Sequence, residues 1–352
     1  MICLVFSVGI LGAQQINPQL TVKKSCALGI GYFQRNPAMA NETAWDKIQK
    51  AADIVYIQRN WKESKNPGNK GFYESVAEDI AIARSKGLKI YLALEALSVG
   101  RDKLELPDGL RGDFSDSEIK KAYLSLVRKA AEDFKPDFFV LNVEVNLYKK
   151  FNPQDYAAYK DLYPEAYRAV KEVSPDTQTS VSISYEDFNG KNCFDEADKN
   201  IFRGFLADFE QNSDILAVSV YPFCYSRPAA IPDNFFTDLA NFSSLPLFIS
   251  ETGWMSKSFP LILFISFKSS PKAQAEYVKR LYKLAENAEI AGKQISAINY
   301  ISLVDPDPLT SKLIRSKYPA LSWYCTLALC DMFGKEKPAY LMMKAWKDGS
   351  LN

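Results

Sequence analysis

Glu144 closes the apolar run Phe138-Phe139-Val140-Leu141-Asn142-Val143, and Glu251 closes Leu247-Phe248-Ile249-Ser250. Both runs read as short buried strands. A carboxylate is an odd end for such a strand, because burying an unpaired charge costs several kcal/mol. It is a natural end where strand termini converge on the mouth of a barrel and two carboxyl groups share one substrate. Paired carboxylates in that position point to the hydrolysis of glycosidic bonds.

Composition narrows the chemistry further. The chain contains no histidine, which removes Ser-His-Asp and Cys-His nucleophile systems, imidazole bases and histidine-held zinc together. Carboxylates, Tyr, Lys, Cys or a cofactor must then do the work, and glycoside hydrolysis needs only the two carboxyl groups. No cofactor or metal is implied. With 43 basic and 42 acidic residues the chain is nearly neutral, so a polyanionic partner such as nucleic acid is disfavoured. A neutral polysaccharide or oligosaccharide suits these figures better.

The elements that must carry the glutamates alternate along the whole chain. Strands are expected at 26–33, 53–58, 88–95, 137–144, 177–185, 214–221, 245–251 and 294–303. Amphipathic helical stretches follow them at 43–51, 73–86, 116–134, 155–173, 194–212, 233–241, 270–292 and 318–333. Gly87 and Gly292 stop helices, and Pro136, Pro175 and Pro246 stand just ahead of strands. Eight strand–helix units are the number that closes a single (β/α)8 TIM barrel. An open doubly wound sheet is the alternative, but no G-x-G-x-x-G follows the first strand. The expected organisation is one catalytic domain over 26–346, behind an apolar, uncharged segment at 1–13. That segment has the character of a secretory signal and is too short for a membrane span of about 20 residues. A buried first strand is the other reading of it. The signal implies a secreted or extracytoplasmic protein. The six cysteines (3, 26, 193, 224, 325, 330) show no metal-ligand spacing; Cys193 and Cys224 fall in loops and could pair.

Barrel active sites lie at the C-terminal ends of the strands. Those ends carry Arg59, Trp61, Glu95, Glu144, Asn146, Tyr185, Glu186, Tyr221, Glu251, Trp254, Tyr300 and Asp305. Aromatic faces stack on sugar rings, while carboxylates and amides bind hydroxyls, so Trp61, Trp254 and Tyr300 are expected along a cleft rim. Arg59, if it reaches the same floor, would lower the pKa of Glu251. Asn142 and Asn146 flank Glu144 at the strand period of two, and either could offer an amide to substrate. Set against this are plainer readings. Glu144 and Glu251 could be ion-pair partners of basic side chains, and Glu95 and Glu186 could be solvated loop carboxylates.

Ile249-Ser250-Glu251-Thr252-Gly253-Trp254 resembles the nucleophile strand of clan A retaining glycoside hydrolases, nearest in motif to family 17 endo-β-1,3-glucanases. Ser219-Val220-Tyr221-Pro222-Phe223 resembles their sixth strand, and Asp331 to Tyr340 resembles the end of many such barrels. The resemblance implies double displacement, with Glu251 as nucleophile, Glu144 as acid/base and Tyr221 hydrogen-bonded to Glu251. Two departures stand out: Val143 precedes Glu144 where these enzymes carry Asn, and Tyr300 stands where they commonly carry Trp. A retaining endo-acting β-glycosidase for a β-glucan, galactan or mannan is the leading expectation. A non-catalytic carbohydrate-binding TIM barrel is the alternative. A Schiff-base lyase or aldolase lacks a strand-end Lys. Loops 96–115, 222–234 and 255–270 are expected to wall an open groove, with the apolar stretch 259–267 in the last of them.

Overall fold

The computed structural model describes residues 26–32, 39–65, 72–186, 203–262 and 265–351. The expected leader at 1–13 and Cys193 lie outside these residues. Nine strands form one parallel sheet in the order β5-β4-β3-β2-β1-β11-β8-β7-β6. They are β1 (Ala27–Gly31), β2 (Ile54–Asn60), β3 (Lys89–Glu95), β4 (Phe138–Leu141), β5 (Gln178–Ser180), β6 (Ser182–Ser184), β7 (Leu216–Val220), β8 (Leu247–Thr252) and β11 (Ile295–Tyr300). β5 and β6 are two halves of one strand with Val181 between them. The first half pairs with β4 and the second with β7. Each half also bonds across to the other side. The Ser182 amide donates to the Asn142 carbonyl at 3.2 Å, and the Asp214 amide donates to the Thr179 carbonyl at 2.9 Å. The ring is therefore a closed barrel of eight strand positions.

Alternation within each strand sorts the core into two parts. Ile54, Tyr56, Tyr91, Ala93, Phe138, Val140, Ile215, Ala217, Phe248 and Ala297 fill the barrel interior. Their neighbours in sequence, such as Val55, Leu92, Phe139 and Val218, belong to the layer between strands and helices. The N-terminal rim is held by carboxylates. Asp53, Asp137 and Asp214 accept the amides of Leu28, Ile90 and Thr179 on the preceding strands, at 2.9, 2.9 and 2.8 Å.

The outer helices include α1 (Asn41–Ala51), α2 (Phe72–Ser85), α3 (Ser117–Phe134), α4 (Val145–Phe151), α5 (Pro153–Val173), α6 (Phe235–Ala240) and α7 (Pro271–Ile290). α5 and α7 begin on Asn152 and Ser270, whose side chains accept first-turn amides with Pro in the next position. The end of the chain differs from expectation. The stretch 318–333 holds only a 3-10 segment, Pro319–Thr326, while α8 (Pro308–Lys317) and α9 (Pro338–Lys347) lie on either side of it. The apolar stretch after β8 also differs from a plain loop: β9 (Phe259–Ile262) and β10 (Ile265–Phe267) pair antiparallel as a hairpin. Among the described residues no helix is long and apolar enough to cross a membrane.

Candidate active site

Glu251 lies within β8 rather than beyond it. Phe248 points into the barrel, and a period of two would carry Ser250 and Thr252 inward after it. The pairing slips at this point on both sides: Val218 and Ser219 of β7 face Ile249 and Glu251, while Ile298 and Tyr300 of β11 face Ile249 and Thr252. That bulge turns Glu251 inward and leaves Thr252 facing helix α7, where its hydroxyl meets Tyr277 and the Val220 carbonyl. The Glu251 side chain then receives two hydroxyls. Tyr56 donates to Oε1 at 2.6 Å and Tyr221 to Oε2 at 2.9 Å. Tyr56 is fixed from below by a parallel stack on Tyr91, with ring centroids 4.1 Å apart.

Glu144 is held differently. Strand β4 ends at Leu141, three residues before it, and the chain turns through two left-handed residues, Asn142 (φ 70°) and Glu144 (φ 58°). Residues with a Cβ adopt that region at a cost, and such positions gather at functional sites. The Glu144 amide donates to the Ser182 hydroxyl at 3.0 Å. Its carboxylate has a longer contact, 3.4 Å to Nη2 of Arg101. The other amine of that guanidinium, Nη1, lies 2.9 Å from Oε2 of Glu95.

The charges are crowded. Burial raises Glu251 above the usual carboxylate range, and the charge of Glu144 raises it further. The Tyr56 and Tyr221 hydroxyls and the Arg101 cation oppose that rise. Burial lifts Glu95 to about 7 even with Arg101 beside it, and lifts Glu186 to about 8. Glu186 accepts the Tyr225 hydroxyl at 3.2 Å. Glu95 and Glu186 are 3% and 2% exposed, so neither is the solvated loop carboxylate that its position in the sequence suggested. No group of three or more Cys, Asp or Glu side chains among the described residues is arranged to hold a metal ion. Cys224, Cys325 and Cys330 are free thiols.

Several expected rim residues have other employment. Arg59 follows Gln58 on β2 and so faces outward, where it pairs with Asp79 and bonds the Gln58 carbonyl. It does not approach Glu251; Arg101 is the cation that does. Asn142 accepts the Ala96 amide at 2.7 Å, tying β4 to the loop after β3. Asn146 makes two bonds to the backbone of Ser184, 2.9 and 2.8 Å, and so locks α4 to β6. Both amides are therefore engaged in holding the turn around Glu144. Trp61 and Trp254 are each 2% exposed and Tyr300 is fully buried, so the three do not line an open rim. Trp61 packs on Tyr123, and Trp254 packs on Tyr277. The Tyr300 hydroxyl meets the Trp254 backbone, Gln274 and the Leu327 carbonyl. Tyr185 packs on Phe235, and Asp305 pairs with Lys337 at 2.6 Å.

Three residues at the site had no place in the sequence reading. Tyr56 was legible: it shares the inward phase of Ile54 and Gln58, and Arg59 does not. Arg101 sits in an irregular loop where no periodicity operates. Trp323 comes from the 3-10 segment far along the chain and packs on Tyr221 and Phe223, each at 5.2 Å. Gly253 admits this segment, since a Cβ there would lie 2.9 Å from the Leu327 side chain.

No known family profile matches the chain, and no curated protein matches it in sequence. Solved structures share its fold. The native xylanase 10B from Thermotoga maritima superposes with a TM-score of 0.64 at 13% identity, covering 94% of this chain and 98% of that one. A fungal β-1,4-galactanase gives 0.62 at 16% identity, over 90% of this chain and 98% of its own. The exo-β-1,4-mannosidase Op5Man5 from Opitutaceae bacterium strain TAV5 gives 0.63 at 12% identity, over 92% and 60%. At these identities the likeness is one of fold, that of the TIM-barrel glycoside hydrolases.

Proposed function

We propose that this protein is a retaining β-glycosidase that cuts within a neutral polysaccharide, with Glu251 as nucleophile and Glu144 as acid/base. The observation that carries the reading is the setting of Glu251. A bulge aims it into the barrel mouth, and two tyrosine hydroxyls hold its two oxygens. In the first step Glu251 bonds the anomeric carbon while Glu144 gives its proton to the departing oxygen. In the second, Glu144 takes a proton from water as that water displaces Glu251. The two tyrosine donors stabilise the carboxylate before attack and as it leaves. This chemistry requires carboxyl groups about 5–5.5 Å apart.

Solved neighbours named as acting on xylan, galactan and mannan-type β-linkages support a β-linked plant, algal or microbial glycan as substrate. The Ser250-Glu251-Thr252-Gly253-Trp254 motif favours a β-1,3-glucanase of the family 17 type within that class. The apolar segment 1–13 favours action outside the cytoplasm. The second reading is a sugar-binding barrel without turnover. It is favoured by Val143 and by the bonds that commit Asn142 and Asn146 to the backbone around the turn. A screen of β-glucans, galactan, mannan and aryl β-glycosides, with proton NMR of the first product, tests both. A β-anomer formed first supports the proposal. An α-anomer overturns the double displacement, and binding without turnover selects the second reading.

A further inference from the structure

The guanidinium of Arg101 stands between two carboxylates of different character. Glu95 is the closer partner, 2.9 Å from Nη1, and its other oxygen, Oε1, accepts the Leu97 amide at 2.9 Å. Glu144 is the farther one, 3.4 Å from Nη2. The Arg101 side chain is 12% exposed, and the backbone beneath it is set in a left-handed turn, φ 56°, that any residue with a Cβ adopts at a cost. That turn is closed by the Arg101 amide on the Ser98 carbonyl at 2.9 Å and by Ser98 on Asp102 at 2.5 Å. A loop built this way holds a cation at one place.

We propose that Arg101 is a positioning residue for Glu144: Glu95 anchors its guanidinium, and the free arm engages the Glu144 carboxylate when Glu144 carries charge and slackens when it is protonated. The inference rests on the acid/base role given to Glu144 above. In a double displacement Glu144 is neutral before the first step, charged while the sugar is bonded to Glu251, and neutral again at the end. A cation anchored by a second carboxylate stays in place through all three states. Arg101 thus favours proton release to a poor leaving group and holds the resulting carboxylate on its line toward the incoming water.

The groups facing Glu144 set the signs. Arg101 favours its charged form; Glu95, Glu251 and Glu186 disfavour it when ionised, and the Tyr221 hydroxyl lies within the same field. Removing the cation should therefore raise the pH at which Glu144 gives up its proton, whereas Glu95, protonated below about 7, should act on Glu144 only above that pH.

The test follows the Glu144 carboxyl directly, by carbon-13 NMR of the full-length protein across pH, in wild type, Arg101→Met, Arg101→Lys and Glu95→Gln. Arg101→Met should shift the titration upward, with Arg101→Lys close to wild type and Glu95→Gln unmoved below about pH 7. The double variant Glu95→Gln with Arg101→Met leaves no orphaned buried charge and serves as the fold control. Its Glu144 should titrate above that of Glu95→Gln alone. In turnover, Arg101→Met should lose about 100-fold on a glycan, the scale of a misplaced catalytic group, and less than about threefold on an aryl glycoside whose leaving group needs no proton. No shift for Arg101→Met, or a downward one, overturns the positioning role whether or not the protein turns over sugar. An upward NMR shift for Arg101→Met alone in a protein without glycosidase activity would keep the Arg101–Glu144 coupling and reject the acid/base reading instead.

Discussion

The two glutamates of the barrel mouth are positioned by different parts of the fold. Glu251 is a strand residue, 6% exposed, with both oxygens held by tyrosines that are themselves fixed in the barrel core. Glu144 lies past its strand in a left-handed turn, its carboxylate more open and met by a single long contact from a loop arginine. Under the roles proposed above, a nucleophile must approach one carbon on one line, and a rigid sheet supplies that. An acid/base must serve a leaving oxygen and then a water, and a loop-held carboxyl has the freedom to do so. The difference makes Glu251 sensitive to the barrel interior and Glu144 sensitive to the loop after β3.

The sharpest break between them is direct replacement. Glu251→Gln should lose on the order of 10⁴-fold or more in kcat on every substrate, because no other group can form the bond. Glu144→Gln should lose comparably on glycans but far less on activated aryl glycosides. Equal losses on both substrate classes would remove the distinction drawn here.

Next in size are the tyrosines. Tyr56→Phe and Tyr221→Phe each delete one donor to the Glu251 carboxylate, and a hydrogen bond to a charged group contributes roughly 1.5–3 kcal/mol. Each should cost about 10- to 100-fold in kcat. Because the lost donor favoured the ionised form, Glu251 should titrate higher, moving the acid limb of the pH profile upward. A shift in the alkaline limb alone would assign the tyrosines to Glu144 instead.

A smaller effect should appear in stability. Glu186 and Glu95 have folded pKa values near 8 and 7, raised from the ordinary carboxylate value of 4.5 chiefly by burial. The folded state therefore holds more protons than the unfolded state between those limits. Their contribution is full below about pH 4.5 and is lost as pH rises through 7 to 8. The thermal midpoint should fall over that window, and Glu186→Gln should flatten the fall. A midpoint that rises across the same window would contradict the burial of these groups.

The smallest kinetic effect belongs to Arg59. Arg59→Met should lower the thermal midpoint, since it takes the cation away from the buried Asp79 carboxylate, yet leave both limbs of the pH profile in place. A moved limb would restore it to the barrel mouth.

Much of this architecture was readable from period and punctuation. Short apolar runs alternating with amphipathic stretches gave eight strand positions, and the two glutamates stood out as charges at the ends of such runs. The inward placement of Tyr56, and the outward placement of Arg59, follow from a period of two applied strictly along β2. Those features depend on residues close in sequence, so local patterning carries them.

Other features arise only when distant segments meet. The bulge that turns Glu251 inward depends on how β7 and β11 pair with β8, which no local pattern encodes. Arg101 reaches Glu144 because a loop from β3 folds over the end of β4. Trp323 reaches Tyr221 because Gly253 leaves room for Leu327 beside it. Asn142 and Asn146 look like substrate ligands in sequence, yet the buried backbone of neighbouring strands and loops takes their hydrogen bonds first. The sequence by itself determined a barrel and its two carboxylates, because hydrophobic period and charge placement are local. Tertiary packing alone decided which groups surround those carboxylates and in what state of charge, because burial and hydrogen bonding depend on neighbours far along the chain.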